Sequence, residues 1–373
     1  MTREEDQLRA RSRASDRAVV VRVGLGVTVL VAVLVGGGKA VADRMPARAP
    51  LARSATMRAP ATTSSMSLCG NTGPAPAIQH VILVMLENRS YTQVIGNASA
   101  PYQNSLAADC GVASEMFGAT HTSAANYLAV SAGEYPPAAP PGCGSVAKCA
   151  DTNESVYQQL DAAGLSWKVY EEGMPSACDP KSDTTTDYKN GHNPAIFYTG
   201  VPASECAAND VGVASLDSAN GAFYTDLQNN TLPSLSWIAP TTANDGENVC
   251  DGNCALGIAD TWLSNFIGLV TASPEYQAGT TLILVTYDEG NGADYATGED
   301  CTNETADLAG AQPSCHVPLF AVYPFTPAGD QDAAFFDHYS LTRTVEGLFD
   351  LPSLAHAADA QTSSLAGHFG IAG

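Results

Sequence analysis

Two stretches of the sequence decide the fold: HVILVMLEN at residues 80–88 and TLILVTYDE at residues 281–289. Each joins a run of mostly aliphatic residues to a pair of polar metal-type ligands. Apolar runs without polar alternation are typical of strands that are buried on both faces of a parallel sheet. The carboxyl ends of such strands meet at one edge, where ligands bind. We therefore expect Glu87, Asn88, Asp288 and Glu289 to share one crevice.

Three carboxylates and an amide that converge in a crevice repel one another unless a cation lies between them. Their hard oxygen ligands favour Mg²⁺, Ca²⁺ or Mn²⁺ over Zn²⁺. The alternative is that these acidic residues merely begin solvated loops. Because the pattern occurs after two strands, the sequence favours a divalent metal site.

The N-terminus has the layout of a secretory signal. Residues 1–17 are polar and rich in arginine, Ala18–Gly38 is apolar apart from Arg22, and Ala40-Val41-Ala42 offers small residues for cleavage. Residues 1–42 are therefore predicted to be a signal peptide, cut near Ala42. The apolar run is also long enough for an uncleaved membrane anchor. Both alternatives place the rest of the chain outside the cytoplasm, secreted in the first case.

Cysteine usage agrees with export. An even number of cysteines beyond the leader predicts five disulfides in an exported chain. Close spacing favours Cys143–Cys149, Cys250–Cys254 and Cys301–Cys315, while zinc binding at Cys250 and Cys254 would need a second ligand pair that is not nearby. The ten cysteines are Cys69, Cys110, Cys143, Cys149, Cys178, Cys206, Cys250, Cys254, Cys301 and Cys315.

The chain is strongly acidic, with a formal net charge of −22. Such a surface repels nucleic acid and anionic membranes at long range, so nucleic acid is excluded as a partner. The sequence gives no sign of an obligate protein partner. A phosphate ester could still bind in a crevice that a cation makes locally positive.

Composition divides the rest into a flexible stalk at residues 43–76 and one folded domain at residues 77–373. Strands alternating with helical stretches predict an α/β domain whose mainly parallel central sheet is flanked by helices. Segments 136–153, 171–222 and 289–315 are predicted to be surface loops held by disulfides. The predicted strands are Val81–Leu86, Trp167–Tyr170, Leu235–Ala239, Leu282–Tyr287 and Val317–Tyr323; the predicted helices are Ala124–Ser131, Ser155–Ala163, Ala259–Thr271 and Tyr339–Asp350.

The segment GATHTSAANYL at residues 118–128 contains the best candidate nucleophile. It is a small, hydroxyl-rich turn that opens an apolar helical stretch, and the first turn of a helix offers free N–H groups to a phosphoryl oxygen. A serine there could attack phosphorus with help from a bound cation. The alternative is that Thr122 or Ser123 simply caps the helix.

Several segments, taken in order, resemble a known family. His80–Tyr91, Thr120–Gly133, Trp237–Asp245, Val285–Gly290 and the segment from His338 are similar to the bacterial phosphoesterase family of secreted acid phosphatases and phospholipases C. This family belongs to the alkaline-phosphatase-like superfamily. The resemblance implies that fold, and a phosphate ester as substrate, either a small molecule or a lipid headgroup.

The resemblance also implies roles for individual residues. Ser123 takes the nucleophile position, where it also faces the metal, and Asn126 takes that of a phosphoryl-oxygen ligand. The implied metal ligands are Glu87, Asn88, Asp288 and Glu289, with Asp245 as the candidate for a second metal position. His121, two residues before Ser123, and His338, which matches a family histidine, are the remaining catalytic candidates.

The chain departs from the family pattern in three places. Thr122 and Ala125 replace two prolines beside the nucleophile. Relatives carry a histidine soon after the position of Asp245, and residues 244–248, NDGEN, have none. Phospholipase-type relatives often have Asp-His where this chain has Asp294-Tyr295. Elsewhere, His316 is expected to be structural and His192 to be solvated in a loop.

These observations predict an exported, metal-dependent phosphoric ester hydrolase, with an acid phosphatase acting on monoesters as the first choice. A phospholipase C is the alternative within the same chemistry. A catalytically inert surface or binding protein on the same scaffold is the alternative from another class, because the histidine near Asp245 is missing.

Overall fold

The computed structural model describes residues 66–136, 145–247, 250–290 and 315–372. Within these ranges, eight strands form one sheet in the order β4-β3-β5-β1-β6-β7-β2-β8. The strands are β1 (His80–Leu86), β2 (Gly111–Phe117), β3 (Trp167–Glu172), β4 (Asp210–Val213), β5 (Leu235–Ala239), β6 (Thr281–Tyr287), β7 (His316–Val322) and β8 (Asp330–Asp337).

The sheet is mostly parallel, and only β7 runs against both of its neighbours. The carboxyl ends of the other seven strands therefore lie at one edge. At the centre, β1 and β6 pair in register from His80 with Thr281 to Leu86 with Tyr287. This register places Glu87 directly beside Asp288, as the two apolar runs predicted.

Helices flank the sheet. Helix α3 packs against α9 through Thr342 of α9, whose hydroxyl donates to the carbonyls of Ala129 and Val130 on α3. On α7, the Asp260 carboxylate accepts hydrogen bonds from the first backbone N–H groups of α2. The helices are α1 (Tyr91–Val94), α2 (Pro101–Asp109), α3 (Ser123–Ala132), α4 (Val156–Ala163), α5 (Ala203–Asn209), α6 (Gly221–Asn229), α7 (Gly252–Thr271), α8 (Pro274–Gln277) and α9 (His338–Leu348).

The predicted α/β class with a mainly parallel central sheet is confirmed, as are the five predicted strands and the four predicted helices. Their ends agree within a few residues except in α7, which begins seven residues before the predicted Ala259. Strands β2, β4 and β8 were not predicted. The prediction of a surface loop over residues 171–222 is wrong in part, because this segment contains α5, β4 and the start of α6.

The folded part begins earlier than Ala77. Cys69 is buried and bonded to Cys110, and Gly70 donates its N–H to the carbonyl of Thr326. The end of the predicted stalk is therefore attached to the sheet domain. The predicted leader, and the stalk up to residue 65, lie outside the described residues.

The described cysteines are all disulfide-bonded. The bond predicted between Cys250 and Cys254 is confirmed, which removes the zinc alternative there. The structure adds Cys69–Cys110 and Cys178–Cys206. Cys149 and Cys315 are also bonded, whereas Cys143 and Cys301, the partners predicted for them, lie outside the described residues.

Among the described residues, one helix is long and apolar enough to cross a membrane, namely α7. Half of its most apolar stretch is buried inside the domain. Trp262 and Phe266 on this helix stack on each other, and Phe266 stacks on Phe223 of α6. The helix is therefore apolar because it packs in the core.

We predict that the native protein contains no free thiol. Bridges in a loop-rich domain typically contribute about 2–5 kcal/mol each, so the oxidised form should be strongly preferred. Mass spectrometry after denaturation and alkylation checks this, with a fully reduced sample as the control. Two or more alkylated cysteines in folded protein would contradict the five-disulfide assignment.

Candidate active site

The candidate site lies at the carboxyl edge of the sheet, between the ends of β1, β5 and β6. Backbone hydrogen bonds fix these three ends together: the N–H of Glu87 donates to the carbonyl of Asp245 (2.9 Å), and the N–H of Asp288 donates to that of Leu86 (2.9 Å). Glu87, Asp245 and Asp288 are all fully buried. The sheet thus holds three carboxyl groups together away from water.

Glu87 is the centre of this site. One carboxylate oxygen, Oε2, accepts from the Ser123 hydroxyl (3.0 Å) and from the Asn88 amide (3.0 Å). The other, Oε1, accepts from the Tyr127 hydroxyl (2.7 Å). Because Ser123 and Tyr127 belong to α3, this carboxylate connects α3 to the end of β1.

Asn88 turns the chain sharply out of β1. Its φ of 56° lies in the left-handed region, which asparagine tolerates better than most residues. In this conformation its N–H donates to Oδ1 of Asp288 (2.9 Å) while its side chain donates to Glu87. The four residues predicted after β1 and β6 are thus brought to one edge, with Asn88 linking two of the carboxylates.

The turn before α3 is held by Asn126 rather than by proline. The Asn126 oxygen Oδ1 accepts from the N–H groups of Ala119 and Thr120 (both 3.0 Å), and its Nδ2 donates to the Thr120 carbonyl (2.7 Å). Asn126 is fully buried. Its oxygen is therefore occupied in shaping the turn, and its role as a phosphoryl-oxygen ligand stays a prediction.

His338 supports the same turn from the start of α9. Its Nδ1 lies 3.1 Å from Asn126 Oδ1, and its Nε2 lies 3.2 Å from the Tyr287 carbonyl. The ring is fully buried, and burial lowers its pKa to about 4. His338 therefore holds α9, the turn and β6 together, and its contact with phosphate or metal stays a prediction.

Gly118 lets this turn approach β6. A Cβ at this position would lie 2.9 Å from the Asp288 carbonyl, so a larger residue would push the turn away from the carboxylates. Ser123 follows the turn as the first residue of α3. The side chains of Thr122 and Ser123 do not cap the helix. The Thr122 hydroxyl donates to the His121 carbonyl, and the Ser123 hydroxyl donates to Glu87. The simple capping alternative therefore does not hold for Ser123.

His121 and Glu289 face each other beside the carboxylates. Nδ1 of His121 is 3.6 Å from Oε2 of Glu289, and both side chains remain slightly exposed. Nε2 of His121 is 3.7 Å from Sγ of Cys315, which connects this pair to the start of β7. His121 is therefore placed at the mouth of the site, on the side of Glu289.

Burial raises the pKa of all four carboxyl groups here, and repulsion between neighbouring carboxylates raises it further for Glu87, Asp245 and Glu289. Burial and then the Asp288 and Asp245 charges raise the pKa of Glu87. The pKa of Asp288 rises to about 6, mainly through burial, and that of Glu289 rises to about 10 through burial and then Asp288. Burial also raises the pKa of Asp245. The site therefore favours the protonated, neutral form of these carboxyl groups over the charged form.

Several buried polar atoms of the site have no hydrogen-bond partner. They are Oδ2 of Asp245, Oδ2 of Asp288, Oε2 of Glu289 and Nδ1 of His192. Such unpaired buried atoms are costly, and each of these can offer a lone pair to a cation. The residues present therefore fit a divalent metal.

Two functional residues were missed by sequence reasoning. His192 was expected to be solvated, and that is wrong: it is only 3% exposed and lies against Glu87. Arg89, also buried, donates to the Gly246 carbonyl and so fixes the turn that carries Asp245. The position of Arg89, directly after Glu87-Asn88, was a usable signal, whereas His192 lies in a distant segment without a motif.

Comparison with known proteins identifies the family. The Phosphoesterase family model matches residues 97–352, and the chain belongs to this family. A probable acid phosphatase of Kluyveromyces lactis is 28% identical over 76% of this chain and 61% of its own length. A phosphatidylinositol-3-phosphatase of Mycobacterium tuberculosis is 26% identical over 76% and 81%, respectively. A non-hemolytic phospholipase C of Burkholderia pseudomallei is 24% identical over 52% and 32%.

A solved structure supports the fold. The lipoteichoic acid synthase LtaP from Listeria monocytogenes matches 77% of this chain and 76% of its own, at 12% identity and a TM-score of 0.51. At this identity the likeness concerns the fold alone.

We predict that metal-free protein loses stability as the pH rises from 5 to 8. Asp288 and Glu289 bind protons more tightly in the folded state than in the unfolded chain. Their contribution is therefore complete at low pH and is lost as the pH rises through about 6 and towards about 10. The free energy of unfolding should fall by up to about 1.4 kcal/mol per pH unit for each proton that the folded state holds and the unfolded chain does not.

Urea unfolding in the presence of chelator measures this free energy. Glu289→Gln should make the decline shallower, whereas Glu154→Gln, at an exposed position, should not. Saturating Mn²⁺ should also flatten it, because a bound cation keeps the carboxylates ionised. A metal-free protein whose stability stays constant or rises over this range would contradict these assignments.

Proposed function

We propose that this protein is an exported, metal-dependent phosphoric ester hydrolase, and that it acts as an acid phosphatase on phosphomonoesters. Its membership of the Phosphoesterase family supports the class of reaction. The hydrogen bond from the Ser123 hydroxyl to buried Glu87, at 3.0 Å, is the observation that carries the mechanism. It places a nucleophilic oxygen against a carboxylate, at the start of a ten-residue helix.

A divalent cation would be held by oxygen atoms of Glu87, Asn88, Ser123, Asp288 and Glu289. When bound, it would lower the pKa of the serine hydroxyl and neutralise charge on the phosphoryl oxygens. Hard oxygen ligands favour Mg²⁺, Ca²⁺ or Mn²⁺ over Zn²⁺ in this part of the site.

The chain's own residues would carry the following steps. Glu87 accepts the hydroxyl proton of Ser123 as Oγ forms a bond to phosphorus and the bond from phosphorus to the leaving oxygen breaks. Backbone N–H groups in the first turn of α3 stabilise the phosphoryl oxygens. His121 is placed to protonate the leaving oxygen. Water then attacks phosphorus and gives a proton to His121, the Oγ–P bond breaks, Oγ takes back the proton held by Glu87, and inorganic phosphate leaves.

Phospholipase C activity is the second candidate, supported by the similarity to the Burkholderia enzyme over about half of this chain. Both candidates share the same attack on phosphorus and differ in whether the phosphate bears one ester or two. An inert binding protein on this scaffold is the third. Export fits the disulfides of the described cysteines, which form and persist in oxidising compartments.

The first test of this proposal is metal removal. Dialysis against chelator should abolish hydrolysis of an aryl phosphate, because the converging carboxylates then repel the substrate and leave Ser123 unactivated. Adding back Mn²⁺ or Mg²⁺ should restore the rate. Phosphatidylcholine tested in parallel separates the phosphatase from the phospholipase. Full turnover by protein shown to be metal-free would contradict the proposal.

The second test compares two neighbouring hydroxyls. Ser123→Ala should reduce kcat by roughly a thousandfold or more, because no other group can form the covalent intermediate. Thr122→Ala is the matched control and should cost less than about tenfold, since this hydroxyl contacts only the His121 carbonyl among the described contacts. Circular dichroism should show both variants folded. The reverse ranking would place the nucleophile elsewhere.

A further inference from the structure

His192 enters the site from a part of the chain that no motif connects with it. It ends a short 3-10 turn, Asn190–His192, in the segment between β3 and α5. Its ring stacks on that of Tyr127, with centroids 5.3 Å apart and planes 16° apart. The side chain is 4% exposed. A buried imidazole against two carboxyl groups calls for an explanation.

The orientation of the ring is set by Glu87. Nε2 of His192 lies 3.3 Å from Oε1 of Glu87, the oxygen that also accepts from Tyr127. An Nε2–H donated to this carboxylate leaves Nδ1 as the nitrogen with a free lone pair. Metal-bound histidines are usually oriented in this way, with the second ring nitrogen donating to a carboxylate.

The unpaired ring nitrogen of His192 faces an unpaired carboxylate oxygen of Asp245. Nδ1 of His192 is 3.9 Å from Oδ2 of Asp245, and both atoms are buried without a hydrogen-bond partner. Two ligands bound tetrahedrally to one ion at about 2.1 Å each lie about 3.4 Å apart. The gap is therefore too long for a hydrogen bond, and the two atoms would approach each other by about 0.5 Å to bind one cation.

The segment behind His192 is firmly anchored. The Asn193 amide donates to Oδ2 of Asp210 (2.9 Å) and to the Tyr188 hydroxyl (3.1 Å). The Cys178–Cys206 disulfide closes the loop that contains both His192 and Asn193. The imidazole is thus held in place before any ligand binds, as a metal ligand needs to be.

We propose that His192 Nδ1 and Asp245 Oδ2 together bind a divalent cation on the Oε1 side of Glu87, opposite Ser123. This inference rests on the proposed function, in which the same crevice binds a cation at Ser123. It gives the site an imidazole, the ligand type that residues 244–248 lack. A mixed nitrogen and oxygen ligand set favours Mn²⁺, Fe²⁺ or Zn²⁺ over Mg²⁺ or Ca²⁺ at this position.

The test uses Mn²⁺ as the probe and needs no substrate. Chelator-treated full-length protein is titrated with Mn²⁺, free ion is measured by EPR, and pulsed EPR detects coupling of bound Mn²⁺ to imidazole nitrogen. Wild type should show nitrogen coupling, and His192→Gln should abolish it. The variant should also bind this ion at least roughly 10- to 100-fold more weakly, as loss of even an outer partner of a ligand does.

Two control variants isolate the effect. His121→Gln, which removes the other imidazole at the site mouth, should retain the nitrogen coupling. His80→Gln, at the opposite edge of the sheet, should leave both coupling and affinity unchanged. Asp245→Asn should weaken Mn²⁺ binding as His192→Gln does, which keeps the test decisive if one variant misfolds.

Absence of nitrogen coupling in the wild type, or its persistence in folded His192→Gln, would overturn the inference. These outcomes are distinguishable from a failure of the proposed function, because Mn²⁺ binding is measured without substrate turnover. Nitrogen coupling that depends on His192 supports the metal position even in protein that hydrolyses no phosphate ester. Full hydrolysis without any such coupling rejects the position and leaves the hydrolase intact.

Discussion

The mutual repulsion of buried carboxyl groups at one sheet edge is the constraint on which this structure depends. Glu87, Asp245 and Asp288 are fully buried, and each has a pKa raised above its usual value. A fold does not retain such a cluster for stability, since removing carboxylates from water costs free energy unless they are paired. Their partners within the protein are hydroxyl and amide donors, which leave several oxygens unpaired. The proposed cation would pair with these oxygens.

The rest of the site is organised around this edge. Parallel pairing of β1 with β6 sets Glu87 beside Asp288, and the turn before α3 brings Ser123 to Glu87. Asn126 and His338 shape that turn from within the core. Asn126 and His338 thus hold the turn in place, while Ser123 and His121 stay partly exposed and Glu87 is fully buried.

Much of the central architecture was predictable from the sequence, because β1 and β6 are uninterrupted apolar runs that end in polar ligands. The strands that were missed lack this signal: β2 (GVASEMF) mixes small and polar residues, β4 has four residues, and β8 is a partly exposed edge strand with three aspartates. Asn126 was correctly placed near Ser123, but its hydrogen bonds to the turn were not predicted, since sequence spacing does not reveal which amide atoms the backbone occupies. His192 was missed because only the Cys178–Cys206 disulfide and tertiary packing bring it to Glu87.

Anomalous diffraction from crystals soaked in Mn²⁺ tests the central claim most directly. The account predicts an anomalous peak in the crevice, within about 2.0–2.3 Å of carboxylate oxygens from both Glu87 and Asp288. Such a peak would show that the clustered carboxyl groups are ionised ligands. A crevice without a peak in active, Mn²⁺-soaked crystals, with water or protonated carboxyl groups pairing with one another, would contradict it.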